Sequence, residues 1–259
     1  MLVIRSLIFN ILFYVALIGL ILIGLPALCI NRFAVFAVAD MWAKVSFWLL
    51  RVICGTHVEF RGLQNIPQGP CIVAAKHQSI WDVFGIPPFF TDYTFILKRE
   101  LTWIPLFGWY LARADLTAIN RSKGAAALGE AKARARETLG AGRQLIIYPE
   151  GTRRPAGAKP EYKYGVAHIY RDNSVPCVPV AQNSGMFWAR RSFLRRPGTI
   201  IVEFLPAIPP GVEKNAFFAM LQERLEIATD RIIGETLQRN PELASILPSD
   251  WESRRADRA

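Results

Sequence analysis

A histidine and a carboxylate stand close together in the segment Lys76-His77-Gln78-Ser79-Ile80-Trp81-Asp82. Such a pair suits proton abstraction. The acid fixes the imidazole tautomer and stabilises the imidazolium that forms when the other ring nitrogen takes a proton. The apolar run Cys71 to Ala75 precedes the pair, and Ile80 to Pro87 reads as a short helix halted by Pro87-Pro88. His77 therefore falls in a strand-to-helix turn, where α/β domains present their chemistry. With Ser79 as helix cap, Asp82 occupies the third helical position, from which it can reach back toward the turn. The same Ser-x-x-Asp spacing is a capping box in its own right, so the pair alone does not separate catalysis from helix capping.

A second cluster, Tyr148-Pro149-Glu150-Gly151-Thr152-Arg153-Arg154, comes at the end of the apolar, strand-like run Gln144 to Tyr148. Backbone N–H groups around Gly151 and a forked guanidinium make an anion cradle. Taken by itself it is equally an ordinary solvated loop after a strand. His57 lies in a strand-like stretch without a neighbouring acid and His168 in a helix-like one, and both read as structural. The four cysteines and three histidines form no cluster with ligand spacing, so no metal is expected.

Four blocks in order resemble the glycerolipid acyltransferases, specifically the 1-acylglycerol-3-phosphate acyltransferase family of the bacterial lysophosphatidic acid acyltransferase type. His77 to Asp82 is similar to its HxxxxD block, in a Lys-His-Gln-Ser-x-Trp-Asp context. Ile119-Asn120-Arg121 is similar to a block usually ending in Asp-Arg, with Asn120 departing from it. Tyr148 to Arg153 resembles the Phe-Pro-Glu-Gly-Thr-Arg block with Tyr for Phe, and Val178-Pro179-Val180-Ala181 the short fourth block. The resemblance runs from about His57 to Leu205.

The resemblance implies a reaction and a set of roles. His77, oriented by Asp82, would act as general base on the free hydroxyl of a lysophospholipid, which attacks an acyl thioester without an acyl-enzyme. Arg121, Glu150, Gly151, Thr152 and Arg153 would bind the acceptor, the arginines taking its phosphate, and Lys98 would stand near the tetrahedral oxyanion. Lysophosphatidic acid would be the acceptor, acyl-CoA or acyl-acyl carrier protein the donor, and no cofactor is needed. The absence of a Gly-x-Ser-x-Gly elbow agrees with direct transfer. Two other readings stay open: the same fold acting on another lysolipid or on glycerol-3-phosphate, and a non-catalytic basic protein that binds acidic membranes or nucleic acid. A nucleic-acid partner is not expected.

Short β-rich runs alternating with longer helical ones must position these groups. The strand-like runs are Thr56 to Phe60, Cys71 to Ala75, Tyr93 to Lys98, Asp115 to Ile119, Gln144 to Tyr148, Cys177 to Ala181 and Thr199 to Leu205. Ser122 to Leu139 and Asn215 to Gln238 have helical composition or spacing. This order predicts an α/β layered domain, with a mixed sheet and flanking helices, over residues 53–248. Residues 249–259 read as a polar tail that frays. Trp103 to Trp109, with Tyr110, read by default as core, ahead of an acyl groove or a lipid-facing segment.

The residues between Arg5 and Arg32 carry no charge and are dominated by Leu, Ile, Val and Phe. A bilayer core takes about 20 such residues as a helix, so residues 1–52 are expected to anchor the chain in a membrane. Arg32 and the length of the stretch argue against a cleaved signal peptide. Gly19, Gly24 and Pro26 make a hairpin dipped into one leaflet as acceptable as a single span. The net charge of +10 points to an anionic partner such as an acidic lipid surface. Basic residues after Arg51 place the main domain on the cytoplasmic side of the inner membrane. The cysteines read as reduced and buried, which fits that side.

Overall fold

The computed structural model describes residues 1–120 and 124–256. Helix α1 (Leu2–Ile23), the turn of helix α2 (Ala27–Ile30) and helix α3 (Arg32–Leu49, continued by a π-turn to Cys54) form an N-terminal hairpin. Then follow β1 (Thr56–Arg61), β2 (Ile72–Ala75), the short α4 (Asp82–Gly85), β3 (Tyr93–Lys98), α5 (Phe107–Arg113), β4 (Thr117–Ile119) and α6 (Ala125–Gly140). The chain continues through β5 (Gln144–Ile147), α7 (Gly165–Asp172), β6 (Cys177–Gln182), α8 (Ser184–Phe187), β7 (Gly198–Phe204), α9 (Lys214–Arg239) and α10 (Trp251–Ala256).

The seven strands form one sheet in the order β1-β7-β6-β2-β5-β3-β4. Every pairing is parallel except β6 with β7. The central strands are apolar at consecutive positions because both faces are covered. In β2, Ile72 and Ala74 join a cluster with Leu139 of α6, Val166 of α7 and Leu221 of α9, while Val73 and Ala75 face the opposite way. That second cluster includes Phe9 and Phe13 of α1 and Phe36 of α3, so the hairpin shares the main core instead of standing apart as an appendage. Phe13 packs on Phe84 and Trp188 at ring separations of 5.9 and 5.1 Å. Asn10 and Ser6 add polar ties: Arg195 donates through Nη2 to Asn10 Oδ1 and through its amide to Ser6 Oγ, at 2.8 and 2.9 Å. At the other end of α1, Tyr110 donates to the carbonyl of Ile21 at 2.7 Å.

The outer side of the hairpin is apolar and open, with Ile4, Leu7, Ile11, Val15, Ile18 and Leu22 of α1 exposed. Leu2–Ile23 and Arg32–Cys54 are each long and apolar enough to cross a membrane. Trp103 and Trp109 correct the reading of Trp103 to Trp109 as core, because they are 68% and 61% exposed while Tyr110 is buried. Tyr110 faces in because its hydroxyl has the Ile21 carbonyl to bond.

Over residues 249–256 the expectation of a fraying tail is also corrected, and residues 257–259 lie outside the described residues. Trp251 is buried, its indole N–H donates to Asp230 Oδ1 at 2.9 Å, and Arg254 donates to the carbonyl of Gly157 at 2.7 Å. One large apolar side chain with a partnered N–H docks a segment that is otherwise polar. Of the cysteines, Cys54, Cys71 and Cys177 are buried as expected, whereas Cys29 is exposed.

Candidate active site

β6, β2 and β5 are neighbouring parallel strands, so their C-terminal ends open at one edge of the sheet. Those ends lead into Gln182–Gly185, Lys76–Ser79 and Tyr148–Arg153. The chain leaves β2 toward β3 on one side, while β5 crosses back to β6 on the other, which makes this edge a topological switch point. Three separate stretches of sequence thus converge on one crevice.

His77 Nδ1 lies 2.9 Å from Asp82 Oδ2, and the side chains are 15% and 0% exposed. The same oxygen accepts from the amides of Gln78 and Ser79 at 2.7 and 2.9 Å, and Oδ1 accepts from Ser184 Oγ at 2.6 Å. A carboxylate that already accepts on both oxygens has no proton to offer, so Nδ1 carries the hydrogen and Nε2 is the basic nitrogen. Ser79 Oγ accepts from the Trp81 amide at 3.1 Å while Asp82 accepts from the Ser79 amide. Asp82 is the first residue of α4, Trp81 precedes it as N-cap and no side chain among the described residues caps the helix, which corrects the expectation of Ser79 as cap with Asp82 at the third position. The carboxylate binds the turn before the helix and orients the imidazole. The helix is shorter than the sequence pattern implies, because Pro87 begins a separate 3-10 turn.

Tyr148 stacks on the imidazole, centroid to centroid 4.0 Å, and donates to the Asp82 carbonyl at 3.0 Å. Burial, aided by Asp82, pushes its phenol well above the ordinary range, so it stays neutral. The ring holds the imidazole from one side and leaves its edge for substrate.

Glu150 does something other than bind acceptor. It is buried; Oε2 accepts from the His77 amide at 2.7 Å and Oε1 pairs with Lys76 Nζ at 2.6 Å. Lys76 also pairs with Glu226 of α9 at 2.7 Å, and Tyr162 donates to the same Glu226 oxygen. Burial pulls the Lys76 ammonium down, but the two carboxylates outweigh it and hold it above its ordinary value. Burial likewise holds Glu150 above the usual carboxylate range, against the pull of Lys76. Both Glu150 oxygens are spent inside the protein, which corrects its assignment to the acceptor and makes it the anchor of the His77 turn.

The remaining residues of that loop face outward. Gly151 turns the chain at φ 67°, a left-handed conformation that favours glycine, and Thr152 is exposed. Arg153 is half-buried, and its guanidinium has no hydrogen-bond or ion-pair partner among the described residues. Its carbonyl accepts from Arg190 Nη1 at 3.0 Å, bringing a second cation alongside. Arg154 is otherwise engaged, with Glu161 at 2.9 Å and through its amide with the His77 carbonyl at 2.7 Å. Arg121 lies outside the described residues.

Lys98 closes β3 at the same edge and is exposed. Strand alternation places it with Ile96, which packs toward α6 and α7, whereas Phe95 stacks with Tyr148 on the His77 side. The structure does not bring Lys98 together with His77. Cys71 and Cys177 are buried, and burial pushes the Cys71 thiol up to about 12. Among the described residues no serine or cysteine bonds to Nε2 of His77. The short fourth block, Val178 to Ala181, lies within buried β6 and carries no side chain to the crevice beyond its end.

Sequence reasoning missed Glu226, Tyr162, Gln182 and Ser184. Glu226 did leave a signal: it falls beside Leu225 on the buried stripe of α9, and a charge on such a stripe requires a buried partner. The other three are common residue types in unremarkable settings.

Residues 57–183 match the family model described as Acyltransferase. The chain is 36% identical over 198 residues to the 1-acyl-sn-glycerol-3-phosphate acyltransferase of Pseudomonas aeruginosa, covering 76% of this chain and 77% of that protein. It is 31% identical to the enzyme of that name from Cocos nucifera, over 65% of this chain and 55% of the relative. In fold it is similar to the crystal structure of the 1-acyl-sn-glycerophosphate acyltransferase of Thermotoga maritima, with a TM-score of 0.74, 24% identity, and coverage of 90% of this chain and 99% of that one. The chain belongs to the HxxxxD glycerolipid acyltransferase family, in its 1-acyl-sn-glycerol-3-phosphate acyltransferase branch.

Proposed function

We propose that the protein transfers a fatty acyl group from a thioester of coenzyme A or acyl carrier protein to the sn-2 hydroxyl of lysophosphatidic acid, giving phosphatidic acid. The observation that carries this reading is the Asp82–His77 pair, with Nδ1 committed to the carboxylate and Nε2 left as the proton acceptor. Nε2 takes the hydroxyl proton as the oxygen attacks the thioester carbonyl. The tetrahedral intermediate collapses with loss of the thiolate, which receives that proton from Nε2–H. An ester and a free thiol result, with no acyl-enzyme and no resident cofactor. Arg153, with Arg190 beside it, supplies the charge that a phosphate on the acceptor needs.

The protein works at a membrane surface, on the cytoplasmic side of the inner membrane. Helix α1 touches the domain near both of its ends, through Ser6 and Asn10 at one and Ile21 at the other. A helix held in this way lies along the domain with its apolar side in one leaflet, in preference to crossing to the far side. Trp103 and Trp109, exposed near the Tyr110 that holds the end of α1, are residues suited to the headgroup boundary.

Purified protein in detergent, given matched thioester donors and lysolipid acceptors, tests the reading. Phosphatidic acid forming from lysophosphatidic acid faster than the acylated product of any neutral lysolipid supports it. A neutral acceptor used equally well contradicts the phosphate assignment.

A further inference from the structure

We infer that Ser184 is a positioning residue for the catalytic pair, fixing the plane of the Asp82 carboxylate so that its lone pair meets His77 Nδ1; the inference rests on His77 being the general base. Ser184 is fully buried at the start of α8, and its Oγ donates to Asp82 Oδ1 at 2.6 Å. The three other donors to that carboxylate, His77 Nδ1 and the amides of Gln78 and Ser79, all converge on Oδ2. Those three bonds hold one oxygen. The bond from Ser184 holds the other, so that rotation about Cβ–Cγ is resisted at both ends of the carboxylate.

Ser184 can do this because its own position is tied to the His77 turn. Gln182 Nε2 donates to the Lys76 carbonyl, and Gln78 Nε2 donates to the Gln182 carbonyl at 3.0 Å. The Gly185 amide donates to Gln78 Oε1 at 2.9 Å, and a Cβ at Gly185 would stand 2.9 Å from the Cβ of Gln78. Asn183 anchors the segment from behind through Thr236 Oγ1 and the Ile201 amide, at 2.7 Å each. Residues 182–185 thus grip the turn, and the hydroxyl between them gives a single hydrogen to a buried anionic oxygen. The family match ends at residue 183, one short of it.

The groups facing His77 are Asp82 on Nδ1, the Tyr148 ring, Glu150 on its amide, the Arg154 amide on its carbonyl, and its neighbour Lys76. None of these but Asp82 bonds Ser184. Removing the hydroxyl leaves Asp82 Oδ1 without a donor among the described residues and concentrates charge on the acid. The imidazolium is then better stabilised, and the acid limb of kcat/KM moves to higher pH. A carboxylate held through one oxygen alone orients the imidazole less firmly, which lowers kcat.

The test compares Ser184→Ala, Ser184→Cys and Ser184→Thr with the unaltered protein and with His77→Ala, measuring kcat, both KM values and the pH profile. Ala and Cys are expected to lower kcat by about 10- to 150-fold, the cost of one hydrogen bond to a charged group. Their acid limb should rise by about half a unit or more with both KM values little changed. Threonine, which keeps the hydroxyl, should hold the limb where it was. Cysteine keeps the volume, so the comparison survives an alanine variant that fails to fold. Equal loss of kcat in all three with the limb unmoved, or no change in any, overturns the inference while an inactive His77→Ala leaves the base assignment standing. Turnover retained by His77→Ala overturns both.

Discussion

Replacing Glu150 with glutamine leaves its volume nearly unchanged and removes one charge from a buried set. Its two oxygens now accept from the His77 amide and from Lys76. An amide offers one acceptor oxygen and one donor nitrogen, so one of these contacts becomes donor against donor. A hydrogen bond to a charged group contributes about 1.5–3 kcal/mol. Breaking a buried ion pair costs about 3–5 kcal/mol when a charge is left alone, but here Lys76 keeps Glu226. The net loss of stability should be about 2–3 kcal/mol, a fall in unfolding midpoint of about 5–10 °C for a chain of this size. Loss of the tie to its amide shifts the His77 turn, and a misplacement of about 1 Å can cost on the order of 100-fold in rate. Free-thiol release from an acyl thioester, followed with varied lysophosphatidic acid, separates kcat from KM. A kcat lowered about 10- to 100-fold with acceptor KM within twofold is expected for an anchor of the base. A large rise in acceptor KM, with kcat and the unfolding midpoint unchanged, would show that Glu150 contacts the acceptor and refute the reasoning.

Arg153→Ala should raise the KM for the phosphorylated acceptor by about 10- to 100-fold and leave that of the thioester donor alone, the pattern of a lost charge-assisted contact to phosphate. A larger effect on the donor would move Arg153 to the donor side of the site. Trp103→Ala combined with Trp109→Ala should weaken sedimentation with vesicles containing anionic phospholipid by about tenfold or more. Turnover of detergent-dispersed substrate should persist. Unchanged vesicle binding would remove this segment from the membrane surface.

All seven strands lie within two residues of their runs in the sequence: the central ones are nearly continuous apolar stretches because both faces are covered, and the edge strand β1 alternates polar with apolar residues. Their order across the sheet was not legible, since a strand's composition carries no mark of its neighbour. That order is what brings residue 150 under residue 77 and residue 184 against residue 82. Charged residues in a motif invite assignment to a charged substrate, and the true partners of Glu150 are hidden because they come from the turn after β2 and, through Lys76, from α9. Hydropathy assigns Trp103 and Trp109 to the core because it does not distinguish a protein interior from a lipid boundary. The docking of α10 rests on Trp251 alone, too sparse a pattern to register as amphipathic.

The central claim is that His77 takes the acceptor's proton in a single direct transfer. His77→Ala, purified and shown to fold and to bind vesicles as the unaltered protein does, should form no phosphatidic acid from lysophosphatidic acid and a labelled acyl thioester above the uncatalysed background. Turnover within about tenfold of the unaltered protein would contradict the claim, since a lost general base costs about 100- to 10,000-fold.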